Sequence, residues 1–81
     1  AGGANSPDTL RSVNNLAFFL DERLGKYEEA EGYYRRALEG RDTALGATHP
    51  DTLATAKDFA IFLDKQGKHE DARQLKSKYN V

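Results

Sequence analysis

Displaced by 43 positions, this chain lies over itself. Pro7-Asp8-Thr9-Leu10 falls on Pro50-Asp51-Thr52-Leu53, and Leu16-Ala17-Phe18-Phe19-Leu20-Asp21 falls on Phe59-Ala60-Ile61-Phe62-Leu63-Asp64. Across residues 6–21 against 49–64, eight of sixteen positions are identical. The register then slips, and Gly25-Lys26-Tyr27-Glu28-Glu29-Ala30 matches Gly67-Lys68-His69-Glu70-Asp71-Ala72 at a displacement of 42. Four residues separate Leu20 from Gly25 but three separate Leu63 from Gly67, so the first unit carries one extra residue just before its turn. Such a repeat constrains the fold more than any local signal does. A single unit of this length cannot bury its own apolar face and must bury it against a copy.

Each unit reads as two helices. Ser6-Pro7-Asp8 combines a capping hydroxyl, a proline suited to the first helical position and an acid at the positive helix end. His49-Pro50-Asp51 repeats this start with a poorer cap. Leu10, Val13, Ala17, Leu20 and Leu24 recur at helical spacing, as do Leu53, Ala56, Ala60 and Leu63. Gly25-Lys26 and Gly67-Lys68 break the chain. A second stripe of Tyr27, Ala30, Tyr34, Ala37, Leu38 and Leu45 runs to Gly46. The spacing predicts helices near 7–23, 27–45, 50–66 and 69–79. Gly32 and Gly40 interrupt the second at about 1 kcal/mol each relative to alanine, a cost that close packing or relaxed selection explains better than propensity. Ala17, Ala30 and Ala37, echoed by Ala60 and Ala72, are small where large side chains would hold helices apart. The expectation is all-α: two antiparallel hairpins joined by tight turns and stacked on each other. Residues 6–48 form the first repeat, 49–81 the second, and 1–5 a flexible leader.

Val13-x-x-Leu16-Ala17-x-x-Leu20, then Gly25-x-Tyr27, then Ala30-x-x-x-Tyr34-x-x-Ala37 resembles a tetratricopeptide (TPR) repeat. The long second helix and the linker Gly46-Ala47-Thr48-His49-Pro50-Asp51-Thr52 are similar to its 42-residue variety, found in kinesin light chains and in arrays attached to NB-ARC/STAND signalling ATPases. The resemblance covers residues 6–79. It departs at the extra residue of the first unit, at Lys76 where the family places an aromatic, and at Tyr79 where it places alanine. It implies an α-solenoid fragment, a non-catalytic scaffold for protein binding, located inside the cell in the cytoplasm.

Composition removes the competing classes. Leu, Ile, Val and Phe number sixteen in 81 residues, near the lower edge for a folding chain, but a net charge of −1 is not that of a self-repelling disordered segment. Cys, Met and Trp are absent, which excludes disulfides, thiolate metal sites and a cysteine nucleophile. No apolar run reaches the roughly 18 residues a membrane span needs. A pI near 6.1 gives no general attraction to nucleic acid or to an anionic membrane. His49 and His69 have no partners at metal-ligand spacing and read as structural, the second in Tyr27's inter-helix packing place. Glu28-Glu29 and Glu70-Asp71 read as acids complementing a helix dipole, not as a catalytic pair. No glycine-rich phosphate loop is present, and no cofactor or metal is expected.

What remains is surface. Arg11, Asn14, Asn15, Phe18 and Asp21 share one face of the first helix, and Ala54, Lys57, Asp58, Ile61, Asp64 and Lys65 share one face of the third. The resemblance implies that this face lines a concave groove for extended or helical peptides of a partner protein. Asn14 and Asn15 carry the donors and acceptors to hold a peptide backbone. Arg11, Lys57 and Lys65 suit carboxylates, and Phe18 and Ile61 apolar side chains. Because Phe18 and Phe19 are adjacent, one of them is expected against a neighbouring helix or ligand. The alternative is a spacer or self-association repeat whose stacking faces carry the function, regulating a linked signalling ATPase. The missing initiator methionine suggests a fragment of a longer chain. Leu75-Lys76-Ser77-Lys78, polar where the first unit has Tyr33, Tyr34, Ala37 and Leu38, suggests the C-terminal end of an array.

Overall fold

The computed structural model describes residues 6–81, among which the chain forms four helices and no strand. Helix α1 spans Pro7–Phe19 and continues into one π-helical turn over Leu20–Leu24; α2 spans Tyr27–Leu45, α3 Pro50–Lys65 and α4 His69–Tyr79. α1 packs on α2 and α3 on α4 as antiparallel hairpins, and α2 packs on α3 to join them. The leader expected at 1–5 lies outside the described residues.

Both hairpins start on a cap. The Thr9 amide donates to Ser6 Oγ at 3.3 Å, and that hydroxyl donates to Thr9 Oγ1 at 2.8 Å. His49 caps its helix as well, accepting the Asp51 amide on Nδ1 at 3.1 Å. An imidazole nitrogen with a free lone pair serves as a serine oxygen does at this position, which residue preference alone does not reveal.

The register slip has a physical form. In the second unit the Lys68 amide closes the turn by donating to the Leu63 carbonyl at 2.9 Å; in the first, the equivalent Lys26 amide reaches the Leu20 carbonyl, also at 2.9 Å. The same two partners bond across one more residue, and the π turn absorbs it within the helix. Gly25 then reverses the chain at φ 64°, a left-handed conformation that favours glycine. The wider turn carries Leu24 off the apolar stripe, so this leucine, expected in the core, is half exposed. Deleting the exposed Arg23 should convert the turn to the geometry of Asp64-Lys65-Gln66-Gly67. We expect the variant to stay folded and to lose about 0.5–3 kcal/mol in urea denaturation, because the turn that seats the buried Asp21 against Lys65 is rebuilt. Loss of the helical circular dichroism signal on deletion would contradict this reading of the turn.

One core runs through both hairpins, joining Ala17, Leu20, Ala30, Tyr34 and Leu38 to Ala56, Phe59, Phe62, Leu63, Ala72 and Tyr79. The alanines at 17, 30, 37, 60 and 72 are all buried, as their size requires where helix backbones approach. At the seam between hairpins, the Tyr34 ring stacks on Phe59 with centroids 5.8 Å apart and tilts against Phe62 at 5.2 Å. Polar ties reinforce this seam. Arg41 donates to the Asp51 carbonyl at 3.1 Å and to Thr55 Oγ1 at 2.7 Å, while Lys68 bonds Glu31 at 2.6 Å. The Tyr79 hydroxyl donates to Asp42 at 2.5 Å, so a tyrosine in the family's alanine place ties α4 to α2. Burial first, then this bond, pushes the Tyr79 phenol up to about 12.

Three sequence expectations are corrected. Tyr27 is half exposed, its ring 6.5 Å from Phe62, at the rim of the seam and not in the core. His69 does not pack in Tyr27's manner: it is exposed, with Nδ1 2.9 Å from Asp64 Oδ1. Of the two glycines in α2, Gly40 is buried, whereas a Cβ at Gly32 would meet nothing within 4 Å, so close packing does not explain Gly32. Lys76 sits 2.9 Å from the other Asp64 oxygen.

These ion pairs set an acid limb to stability. The Lys68 bond holds the Glu31 carboxyl below its ordinary 4.5, and His69 and then Lys76 hold Asp64 below 3.8. A carboxylate with a depressed folded pKa stabilises above its unfolded value and loses that contribution as pH falls through the folded one. Stability should therefore decline below about pH 4.5, and Glu31→Gln should flatten the decline in thermal melts across pH 2–5. An unchanged acid limb in Glu31→Gln would remove the Lys68 pair from the account.

Candidate functional site

Between α1 and α3 lies a cleft of about 80 Å³, lined by Phe18, Asp21, Glu22, Tyr34, Asp58, Ile61, Phe62 and Lys65. Helical periodicity places Phe18 on the α1 wall and Ile61 on the α3 wall, at equivalent positions of the two units. They are 54% and 51% exposed, the two most exposed of the large apolar side chains among the described residues. Neither Phe18 nor Phe19 enters the core, and Phe18 is the one of the pair that faces the cleft.

The floor is polar. The π turn carries Asp21 to a position 6% exposed, where it accepts from Lys65 Nζ at 3.0 Å; Glu22 accepts from the same ammonium at 2.7 Å. The Glu22 bond and then the Asp21 bond raise the lysine to about 12. Lys65, expected to be free for a ligand carboxylate, is thus already held between two acids of the chain itself. Asp58 is half-buried, and burial pushes its carboxyl upward against the pull of Asn14, Arg41 and Lys57. Asn14 lies against Asp58, its Oδ1 enclosed and without a hydrogen-bond partner among the described residues. Tyr34 is 1% exposed, its ring in the seam and its hydroxyl end toward the cleft. Burial, then the fields of Asp21 and Asp58, push the phenol up to about 12, with no hydrogen bond acting on it.

The structure therefore brings Phe18, Asp21, Asp58, Ile61 and Lys65 together, with Asn14 alongside. Arg11, Asn15 and Lys57 are exposed on the same helices but do not line the cleft. Sequence reasoning missed Glu22, which the π turn delivers, Tyr34, which it placed on a packing stripe, and Phe62, to which it gave no role beyond the repeat match. A tyrosine packs through its ring and acts through its tip, and apolar spacing reports only the ring.

Among the described residues no group of His, Cys, Asp and Glu side chains converges as a metal site. No described helix is long and apolar enough to cross a membrane. A comparison with curated proteins returns no match. A family model described as tetratricopeptide repeat matches residues 2–78, nearly the full length, and the chain belongs to that family.

Proposed function

We propose that this chain is a protein-interaction module that holds a peptide segment of a partner in the groove between α1 and α3. Tetratricopeptide repeats serve protein–protein interaction in general, which supports the class. The groove reading rests on one observation: Phe18 and Ile61, exposed on opposite walls, flank a floor of polar groups that are only partly satisfied. Apolar walls with a few oriented polar groups are what peptide recognition requires. We read the chain as the 42-residue variety of the repeat from its long α2 and the Gly46–Thr52 linker.

A second reading, stacking or self-association, is favoured by a different observation. Phe59 and Phe62 are 3% and 1% exposed where they dock on Tyr34, whereas their counterparts Leu16 and Phe19 are 40% and 48% exposed on the outer side of α1. In the repeat's own geometry that face takes another hairpin.

Selection of peptides from a phage-displayed library on the intact chain separates the two. Groove binders should weaken at least about tenfold in Phe18→Ala and in Ile61→Ala, and stay unchanged in Leu16→Ala and Phe19→Ala. The opposite pattern would favour the stacking face.

A further inference from the structure

The acids of the α1–α3 cleft outnumber its cations. Asp21, Glu22 and Asp58 face one lysine, Lys65, whose ammonium is committed to the first two. Asp58 forms no ion pair among the described residues, and its side-chain partner is the neutral Asn14. Arg41, the guanidinium whose charge acts on it, is held by the Asp51 carbonyl and Thr55 Oγ1. Lys57 is exposed beside the cleft and not in its lining. Beyond the carboxylates, Asn14 Oδ1, which can only accept, is enclosed without a partner beside the cleft, and the almost fully buried Tyr34 lines the cleft with no hydrogen bond among the influences on its hydroxyl.

An unpartnered acceptor is costly when enclosed, and a half-buried carboxylate more so, unless a donor or cation arrives. The Phe18 ring and the Ile61 side chain stand above them, suited to an aliphatic stem, and the ring face also attracts a cation. Acceptors below and apolar walls above describe the complement of one kind of side chain.

We infer that the cleft takes a basic side chain of the bound peptide, with its stem between Phe18 and Ile61 and its guanidinium or ammonium against Asp58 and Tyr34, while Asn14 positions Asp58 from behind. This rests on the groove reading and narrows it. It reverses the sequence expectation that Arg11, Lys57 and Lys65 receive carboxylates there. Lys65 helps to shape the site by neutralising Asp21 and Glu22, which leaves Asp58 as the acid open to a ligand.

The test is a parallel selection of library peptides on the parent chain and on Asp58→Asn, scored for residue enrichment among clones that Phe18→Ala and Ile61→Ala weaken. The parent should enrich arginine or lysine at one position of those clones. Replacing that residue by norleucine should weaken a synthetic clone at least about tenfold, and glutamate more. Asp58→Asn should lose the enrichment while keeping its circular dichroism spectrum and its affinity for the norleucine peptide. Groove-dependent clones without a basic position, or with an acidic one, would overturn the inference and leave the groove reading intact. Clones insensitive to Phe18→Ala and Ile61→Ala, or no clones at all, would overturn both. If Asp58→Asn fails to fold, Asn14→Ala serves in its place, with a weakened preference for the basic residue as the expected result and an unchanged preference as the contradicting one.

Discussion

Phe62→Ala is expected to cost about 3–5 kcal/mol, the usual range for removing a buried aromatic side chain. Phe62 is almost fully buried and meets Tyr34, Phe59 and Tyr27, so its ring closes the seam from the α3 side. A chain of this length has on the order of 4–12 kcal/mol in total, so one substitution removes a large share. Urea denaturation followed by circular dichroism and by tyrosine fluorescence, without interference from tryptophan, measures the loss. A cost below about 1 kcal/mol would mean that the hairpins hold without their aromatic seam.

The opposite error should also be expensive. Ala30→Leu inserts extra carbons where α1 and α2 pack around a fully buried methyl group, and overpacking of this kind costs about 1–3 kcal/mol. Ala44→Leu, on an exposed position of the same helix, controls for propensity and should be near neutral. Equal midpoints for the two variants would show that the inner face of α2 has been misassigned.

Much of this architecture was legible because the repeat supplies its own check. Pro7 and Pro50 start helices, Gly25 and Gly67 end hairpins, and the small residues at 17, 30, 60 and 72 recur where helices touch. The extra residue of the first unit was legible as a slip but not as a shape. A lengthened loop and a π turn differ by one hydrogen-bond register, and only the packing of Leu20 and Gly25 decides between them. That choice moved Leu24 outward and brought Asp21 and Glu22 onto Lys65. The candidate site was half legible for the same reason. Spacing located Phe18, Asp58 and Ile61 on facing helices. It does not report which charges find partners across a seam, and so it left Lys65 free for a ligand and gave Asp58 a place on the face but no distinct role. His69 went astray because position in a repeat was read as environment; with Asp64 and Lys76 close by, its ring takes an ion-pair partner at the surface.

The central claim is that binding occurs between the first helices of the two hairpins. Titration of the isotopically labelled chain with a selected peptide, followed by heteronuclear NMR, tests it most directly. The largest shifts should fall at Asn14, Phe18, Asp58, Ile61 and their neighbours, with the outer surfaces of α2 and α4 nearly silent. Shifts concentrated instead around Leu16 and Phe19, or along α2 and α4, would contradict it.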